Sequence, residues 1–209
     1  MDTPVFKLWL AKPRLEAFSL PQERFNEFGQ KHAQAQKDLG VRNLISGTVW
    51  SDERYTGFGA EWFPNWQAVR EYHRCLDELH WFQYLQSEIF LGVEVPDLPM
   101  RLEPLNLDPN VDWLVHIFVA RHSAAWYHAS AEELAELDRL YEQQASSAPF
   151  IFANTRPFQE LWEGWGIEFY PSLEQLVQHT DNLEKIKWWK YLEAQTFHGT
   201  AEDGELFKK

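Results

Sequence analysis

Two short stretches gather residue types that could move protons or hold a ligand. Tyr55, Gly57, Gly59, Glu61 and Phe63 alternate with Thr56, Phe58, Ala60 and Trp62; Trp162, Gly164, Gly166, Glu168 and Tyr170 alternate with Glu163, Trp165, Ile167 and Phe169. Side chains of a strand point to alternate faces, so a Gly-Gly-Glu row shares one face and an apolar row takes the other. The apolar row is expected to meet helices. The Gly-Gly-Glu row is then expected to line an interior, where the absent side chains leave room beside two carboxylates. Burial raises a carboxyl pKa toward neutrality, which makes Glu61 and Glu168 candidates for an acid/base pair or for metal ligands. The competing reading is that each Glu anchors its own strand by bonding a backbone amide or an Arg, while the glycines allow close packing or a bulge.

The same parity on two earlier strands puts Lys7, Trp9 and Ala11, and Leu114, His116 and Phe118, on the interior side. Trp9 and His116 are read as equivalent positions, so His116 breaks the match between the halves, as a site for an asymmetric ligand must. His116 is a candidate general base near neutral pH, haem ligand or metal ligand; with Glu61 and Glu168 it would make a His/Glu/Glu set suited to a hard or borderline metal. No HxH or HExxH spacing supports the metal, and a hydrogen-bonded core histidine is the competing reading. Trp9, Phe118, Tyr55 and Trp162 are expected to line the cavity and position its ligand. His198 and His179 read as polar substitutions, and Trp81/Trp188 with Tyr84/Tyr191 as locks of a helix end onto the sheet. Arg121-His122 and Trp126-Tyr127-His128 read as a loop at the cavity mouth. There is no Gly-rich phosphate loop, no GxSxG and no Cys/His metal framework.

Each half has the elements to carry these residues. Val5 to Lys12 reads as a strand, followed by a helix after Pro21 with Phe25, Phe28, His32, Ala35 and Leu39 at helical spacing and Gly40 as its stop. Val41 to Trp50 and Tyr55 to Phe63 form a hairpin about Ser51-Asp52-Glu53. Pro64 and Asn65 open a second helix carried on Val69, Tyr72, Leu76 and Leu79, and Ile89 to Val95 closes the unit. The second half repeats the order: strand Trp113 to Ala120, a helix opened by Ser130 and Glu133 as a capping box, strands Phe150 to Thr155 and Leu161 to Tyr170, and a helix opened by Ser172 and Gln175. Residues 55–92 align without a gap on 162–199, with identities at Gly57/Gly164, Gly59/Gly166, Glu61/Glu168, Pro64/Pro171, Leu76/Leu183, Trp81/Trp188, Tyr84/Tyr191, Leu85/Leu192, Phe90/Phe197 and Gly92/Gly199. The domains read as repeats at 1–95 and 111–202, a linker at 96–110 marked by Pro96, Pro99, Pro104 and Pro109, and a tail at 203–209.

A net charge of −13 with no Lys/Arg stripe opposes binding to nucleic-acid phosphates, and no apolar run has the length of a membrane span. The single Cys75 forms no internal disulfide and fits a reducing compartment, so the cytoplasm is expected.

The βαββαβ order makes each half an α+β, ferredoxin-like unit, a four-stranded antiparallel sheet with both helices on one face. In element order and repetition the chain resembles the dimeric α/β-barrel superfamily, whose paired sheets form a barrel; here one chain would supply both halves, as a monomeric pseudo-dimer or as a homodimer. The resemblance implies a small organic ligand, aromatic or apolar, and a range of activities that includes cofactor-independent oxygenases and isomerases. Three readings follow: a cofactor-free enzyme using His116 with Glu61 or Glu168, a binding or assembly module whose barrel is filled by its own aromatic side chains, and a haem protein with His116 as axial ligand. The first is the leading expectation, and with it no cofactor.

Overall fold

The computed structural model describes residues 3–95, 105, 107–108, 110–144 and 148–206. Strand β1 (Val5–Pro13) is followed by a short 3-10 turn, helix α1 (Gln22–Asp38), the hairpin β2 (Arg42–Val49) and β3 (Gly57–Phe63), helix α2 (Trp66–Glu78), the single turn α3 (Trp81–Tyr84) and β4 (Leu85–Gly92). The second half runs β5 (Leu114–His122), α4 (Ala124–His128), α5 (Ala131–Gln144), β6 (Phe150–Asn154), β7 (Gly164–Tyr170), α6 (Leu173–Lys185), α7 (Trp188–Tyr191) and β8 (Leu192–Asp203). Most of the Pro-rich stretch at 96–110 and the end of the tail lie outside the described residues.

Local chemistry explains the helix ends. Asn65 accepts from the Ala68 amide at 2.9 Å, and Ser130 and Glu133 exchange bonds in both directions as a capping box (2.9 and 3.2 Å). Gly40, at φ +65°, follows the C-cap of α1. The supposed loop after β5 is instead the end of that strand, which includes Arg121 and His122, followed by α4, whose Ser123 cap accepts from Ala125 N at 3.1 Å. The sequence carries that cap, but five residues are too few for helical periodicity to show.

Among the described residues, eight strands join one antiparallel sheet in the order β4-β1-β3-β2-β8-β5-β7-β6. The halves meet at β2 and β8, where Gly47 faces Ala201 and Val49 faces Gly199. Between the two edge strands, Val93, just past β4, and Asn154, the last residue of β6, exchange backbone bonds of 2.8 and 2.9 Å.

The expected parity is reversed. Phe58, Ala60, Trp165, Ile167 and Phe169 do not pack on helices; they join Phe6, Leu8, Leu10, Val115, Ile117 and Phe197 in one core that draws on both halves. The Gly-Gly-Glu rows face the helices, with Phe63 packed among Val69, Tyr72 and Leu76 of α2. The reason is dryness: the face shared by both halves has no access to solvent and takes the apolar row, whereas the helix face keeps room for polar groups.

The glycines on that face are seats for rings. A Cβ at Gly59 would lie 2.4 Å from the Trp9 indole, and one at Gly166 would lie 2.4 Å from the Phe118 ring. Gly59→Ala and Gly166→Ala should therefore each cost about 1–3 kcal/mol by overpacking. Gly57→Ala, whose Cβ would come no nearer than 3.5 Å to another atom, should cost less than either. Urea unfolding of the three variants checks the contrast.

Candidate functional site

A cavity lies between the sheet and its helices in each half. The first, of about 420 Å³, is built on Lys7 of β1, which faces Glu61 across the β1–β3 ladder. Lys7 Nζ lies 2.6 Å from Glu61 Oε2, an ionic contact whose angles fall short of a directed hydrogen bond, and both residues are 3% exposed or less. Tyr72 of α2 and Gln36 of α1 donate to Glu61 Oε1 at 2.9 and 2.8 Å. Tyr72 spends its one proton on Glu61, so at 2.5 Å His32 Nε2 must be the donor to the Tyr72 oxygen. Burial lowers the His32 pKa, with Glu61 opposing, and the ring lies stacked on Trp81. Burial works to raise the Glu61 carboxyl, but Lys7 and Tyr72 outweigh it and hold it below the usual carboxylate range.

The second cavity, of about 480 Å³, repeats this plan with different chemistry. His116 of β5 faces Glu168 across the β5–β7 ladder, and its Nδ1 lies 2.9 Å from Glu168 Oε2. Tyr170 donates to the same oxygen at 2.9 Å, and His179 Nε2 of α6 is 3.7 Å away. Burial again works to raise Glu168, and His116 and His179 hold it below its ordinary value. An ionised Glu168 takes the Nδ1 proton of His116 as a hydrogen bond, which leaves Nε2 as the ring's free nitrogen; it has no protein partner among the described residues. The imidazole stacks on His198 with centroids 5.1 Å apart. Phe118, Trp126, Tyr141, Phe152 and Trp188 supply apolar wall.

Polar residues gather at the rim of this cavity. Glu163 accepts from Tyr127 at 2.5 Å, from Arg156 at 2.8 Å and from His122 Nδ1. Although desolvation opposes them, these donors pull the Glu163 carboxyl down to about 2. A carboxyl depressed on folding stabilises above its unfolded value, near 4.5, and loses that contribution as pH falls toward its folded value. Glu163→Gln should therefore destabilise the protein at pH 7 and differ less from the parent as pH drops from 4.5 toward 2, read from urea midpoints at each pH.

The residues expected to share one site are thus divided. Trp9 and Glu61 line the first cavity, and His116, Phe118 and Glu168 the second. The Glu61/Glu168 acid/base pair and the His/Glu/Glu set are therefore not assembled, and among the described residues no three His, Cys, Asp or Glu side chains converge on a metal-sized site. Tyr55 and Trp162 line neither. Tyr55 packs into the shared core and donates to Glu88, with its phenol pushed up to about 12 by burial and by that carboxylate; Trp162 packs beside the same core under Arg121.

The supposed equivalence of Trp9 with His116 also fails. Trp9 pairs with Gly59 and Phe118 with Gly166, whereas Lys7 and His116 are the residues opposite the two glutamates. Sequence reasoning missed Lys7, although the offset between His32 and Tyr141 already differs by two from that between Glu61 and Glu168. His179 is not a weakly constrained substitution either: it is buried beside Glu168 at the place where α2 carries Tyr72.

No family model matches the chain, and no curated protein matches its sequence. Solved structures do match its fold. A mutant chlorite dismutase from Candidatus Nitrospira defluvii superposes with a TM-score of 0.76 at 12% identity, over 97% of this chain and 93% of that one. A haem-binding protein from Thermus thermophilus gives 0.68 at 16%, over 97% and 92%. A putative chlorite dismutase gives 0.70 at 11%, over 97% and 96%. At these identities the likeness establishes a ferredoxin-like α+β fold of the chlorite-dismutase type. It also corrects the expectation of no cofactor, because that Thermus thermophilus protein of the same fold binds haem.

Proposed function

We propose that the second half of the chain binds haem in the cavity over His116. The observation that carries this reading is the free Nε2 of a buried histidine whose Nδ1 is held by an ionised glutamate, facing a cavity walled by aromatic rings. Metal-ligating histidines characteristically donate their other ring nitrogen to a carboxylate, which fixes the tautomer and raises ligand basicity. The residues present fit the group: His116 would hold its iron, Phe118, Phe152 and Trp188 would give it apolar contact, and Arg121 and Arg156 border the cavity where its carboxylates would be met. Haem supplies an iron centre for electron transfer or for binding small oxygen-containing molecules. The chain's own contribution is to exclude water with its aromatic walls and to hold the Nδ1 proton of His116 on Glu168.

The same proposal places residues 1–95 and 111–202 as duplicated units whose sheets pair into a barrel. The Val93–Asn154 bridge between the terminal strands and the shared apolar core support it. That interior is filled by its own side chains, Phe58, Trp165 and Phe169 among them, so the ligand belongs outside the barrel, under the helices.

Titration of the haem-free protein with ferric haem tests the reading. The expected result is a saturable Soret band distinct from that of free haem, at one haem per chain, lost in Ala194→Phe, which fills the cavity from β8. No Soret change on titration, or one that survives both Ala194→Phe and His116→Ala, would overturn it.

A further inference from the structure

The first-half cavity has a purpose that haem binding does not give it. Its polar floor is a complete circuit: His32 donates to Tyr72, Tyr72 and Gln36 donate to Glu61, and Glu61 pairs with Lys7. The ammonium keeps donors in reserve. Lys7 has three N–H donors, and among the described residues Glu61 is its one oxygen partner; the faces of Tyr72 and Phe63, 4.8 and 5.7 Å from Nζ, flank it. A buried ammonium with donors to spare, lining a cavity of about 420 Å³, is a place for an oxygen acceptor.

We infer that this cavity is a second small-molecule site, which takes an uncharged, planar aromatic compound whose carbonyl oxygen accepts from Lys7. The rest of the lining sets the class. Trp9, Trp81 and Phe82 give flat walls, and Leu85 and Ile89 extend them, with Ser87 between these two on the same face of β4. The volume is within the range of pockets for small organic ligands. Charge settles the functional group: Lys7 and Glu61 already neutralise each other, so a carboxylate entering beside Glu61 would meet a like charge in a dry site, whereas a carbonyl brings only an acceptor. The site is not a second haem site, because Lys7 stands where His116 stands in the other half and His32 has its Nε2 committed to Tyr72.

The test uses 2-acetylnaphthalene as the uncharged carbonyl probe and 2-naphthoate as its anionic counterpart, titrated by calorimetry into haem-free and haem-saturated protein. The ketone is expected to bind one per chain in both forms and in Ala194→Phe, and 2-naphthoate about tenfold or more weakly. Ser87→Phe, which fills the cavity from β4, should abolish ketone binding and leave the Soret titration intact; Lys7→Met should weaken the ketone by about tenfold, the worth of one hydrogen bond to a charged donor. In the unsubstituted protein, the indole N–H resonances of Trp9 and Trp81 should shift on adding the ketone while those of Trp126 and Trp188 stay. This spectrum decides the matter even where a variant fails to fold. Absence of ketone binding, its displacement by haem, a shift confined to Trp126 and Trp188, or naphthoate binding as tightly as the ketone would overturn the inference. Because the Soret titration is a separate readout, failure here leaves the haem reading standing, and the reverse holds as well.

Discussion

His116→Ala is expected to abolish the Soret complex at equimolar haem and to lower haem affinity by about 100-fold or more. The substitution removes the Nε2 ligand atom and also one of the partners that keep Glu168 ionised, and loss of a partner one step removed from the metal already costs about 10–100-fold. Glu168 keeps Tyr170 at 2.9 Å, so the carboxylate is not orphaned. The stability cost should therefore stay near 1–3 kcal/mol, or a fall in Tm of a few degrees per kcal/mol for a chain of this size. Free imidazole diffusing into the vacated space should restore part of the Soret band. A histidine that only held the fold together would give the opposite pattern, a large fall in Tm with haem affinity unchanged and no rescue by imidazole. Glu168→Gln separates positioning from ligation: Nε2 remains, and affinity should fall by about 10–100-fold without loss of the band at saturating haem.

Lys7→Met should destabilise the protein by about 3–5 kcal/mol. Breaking a buried ion pair by removing one partner leaves the other charged and desolvated, and here both members are almost fully buried. Glu61→Leu should cost at least as much, because Lys7, Tyr72 and Gln36 all lose their acceptor. In the double variant Lys7→Met/Glu61→Leu the costs should not add, since neither charge remains unpaired; a total below the sum of the singles in guanidinium unfolding is the signature of direct coupling. Acid adds a check of sign. Glu61 is depressed on folding, so its contribution is present above the unfolded carboxyl value of about 4.5 and is lost as pH falls through its folded value. The gap between the parent and Glu61→Leu should narrow over that range and not on the alkaline side.

The order of strands and helices was legible because each element carries its own local signal: Ser130 and Glu133 as a box, Gly40 as a stop, Asn65 as a cap, alternation in β3 and β7. The glutamates were also legible as a pair of matched positions. What alternation cannot tell is which of two faces is the drier, because both the helix layer and the core shared with the other half accept apolar rows. Phe58 and Trp165 fit either environment, and the choice falls to the contacts between halves, which no window of sequence contains. An ungapped alignment likewise conceals a two-residue change in spacing upstream of it, so Lys7 stood unread beside Trp9. The short helices α3 and α7 follow left-handed residues, His80 at φ 56° and Lys187 at φ 59°; histidine is enriched in this conformation but lysine is not, so the matched pair of turns carries no shared signal.

The seam between β2 and β8 sets a timetable for the growing chain. β2 is made early, yet its partner along that edge is residues 199–203, so its outer row of amides and carbonyls stays open while some hundred and fifty more residues are synthesised. β4 waits as well, for Asn154 to meet Val93. An emerging first half is therefore a sheet with unsatisfied edges, apt to pair with a neighbouring nascent chain. Contacts of such sequence separation are also slow to find one another, because loop closure must be met before they reward it. A holding chaperone acting on the translating ribosome would have its main task in the interval before β8 is released.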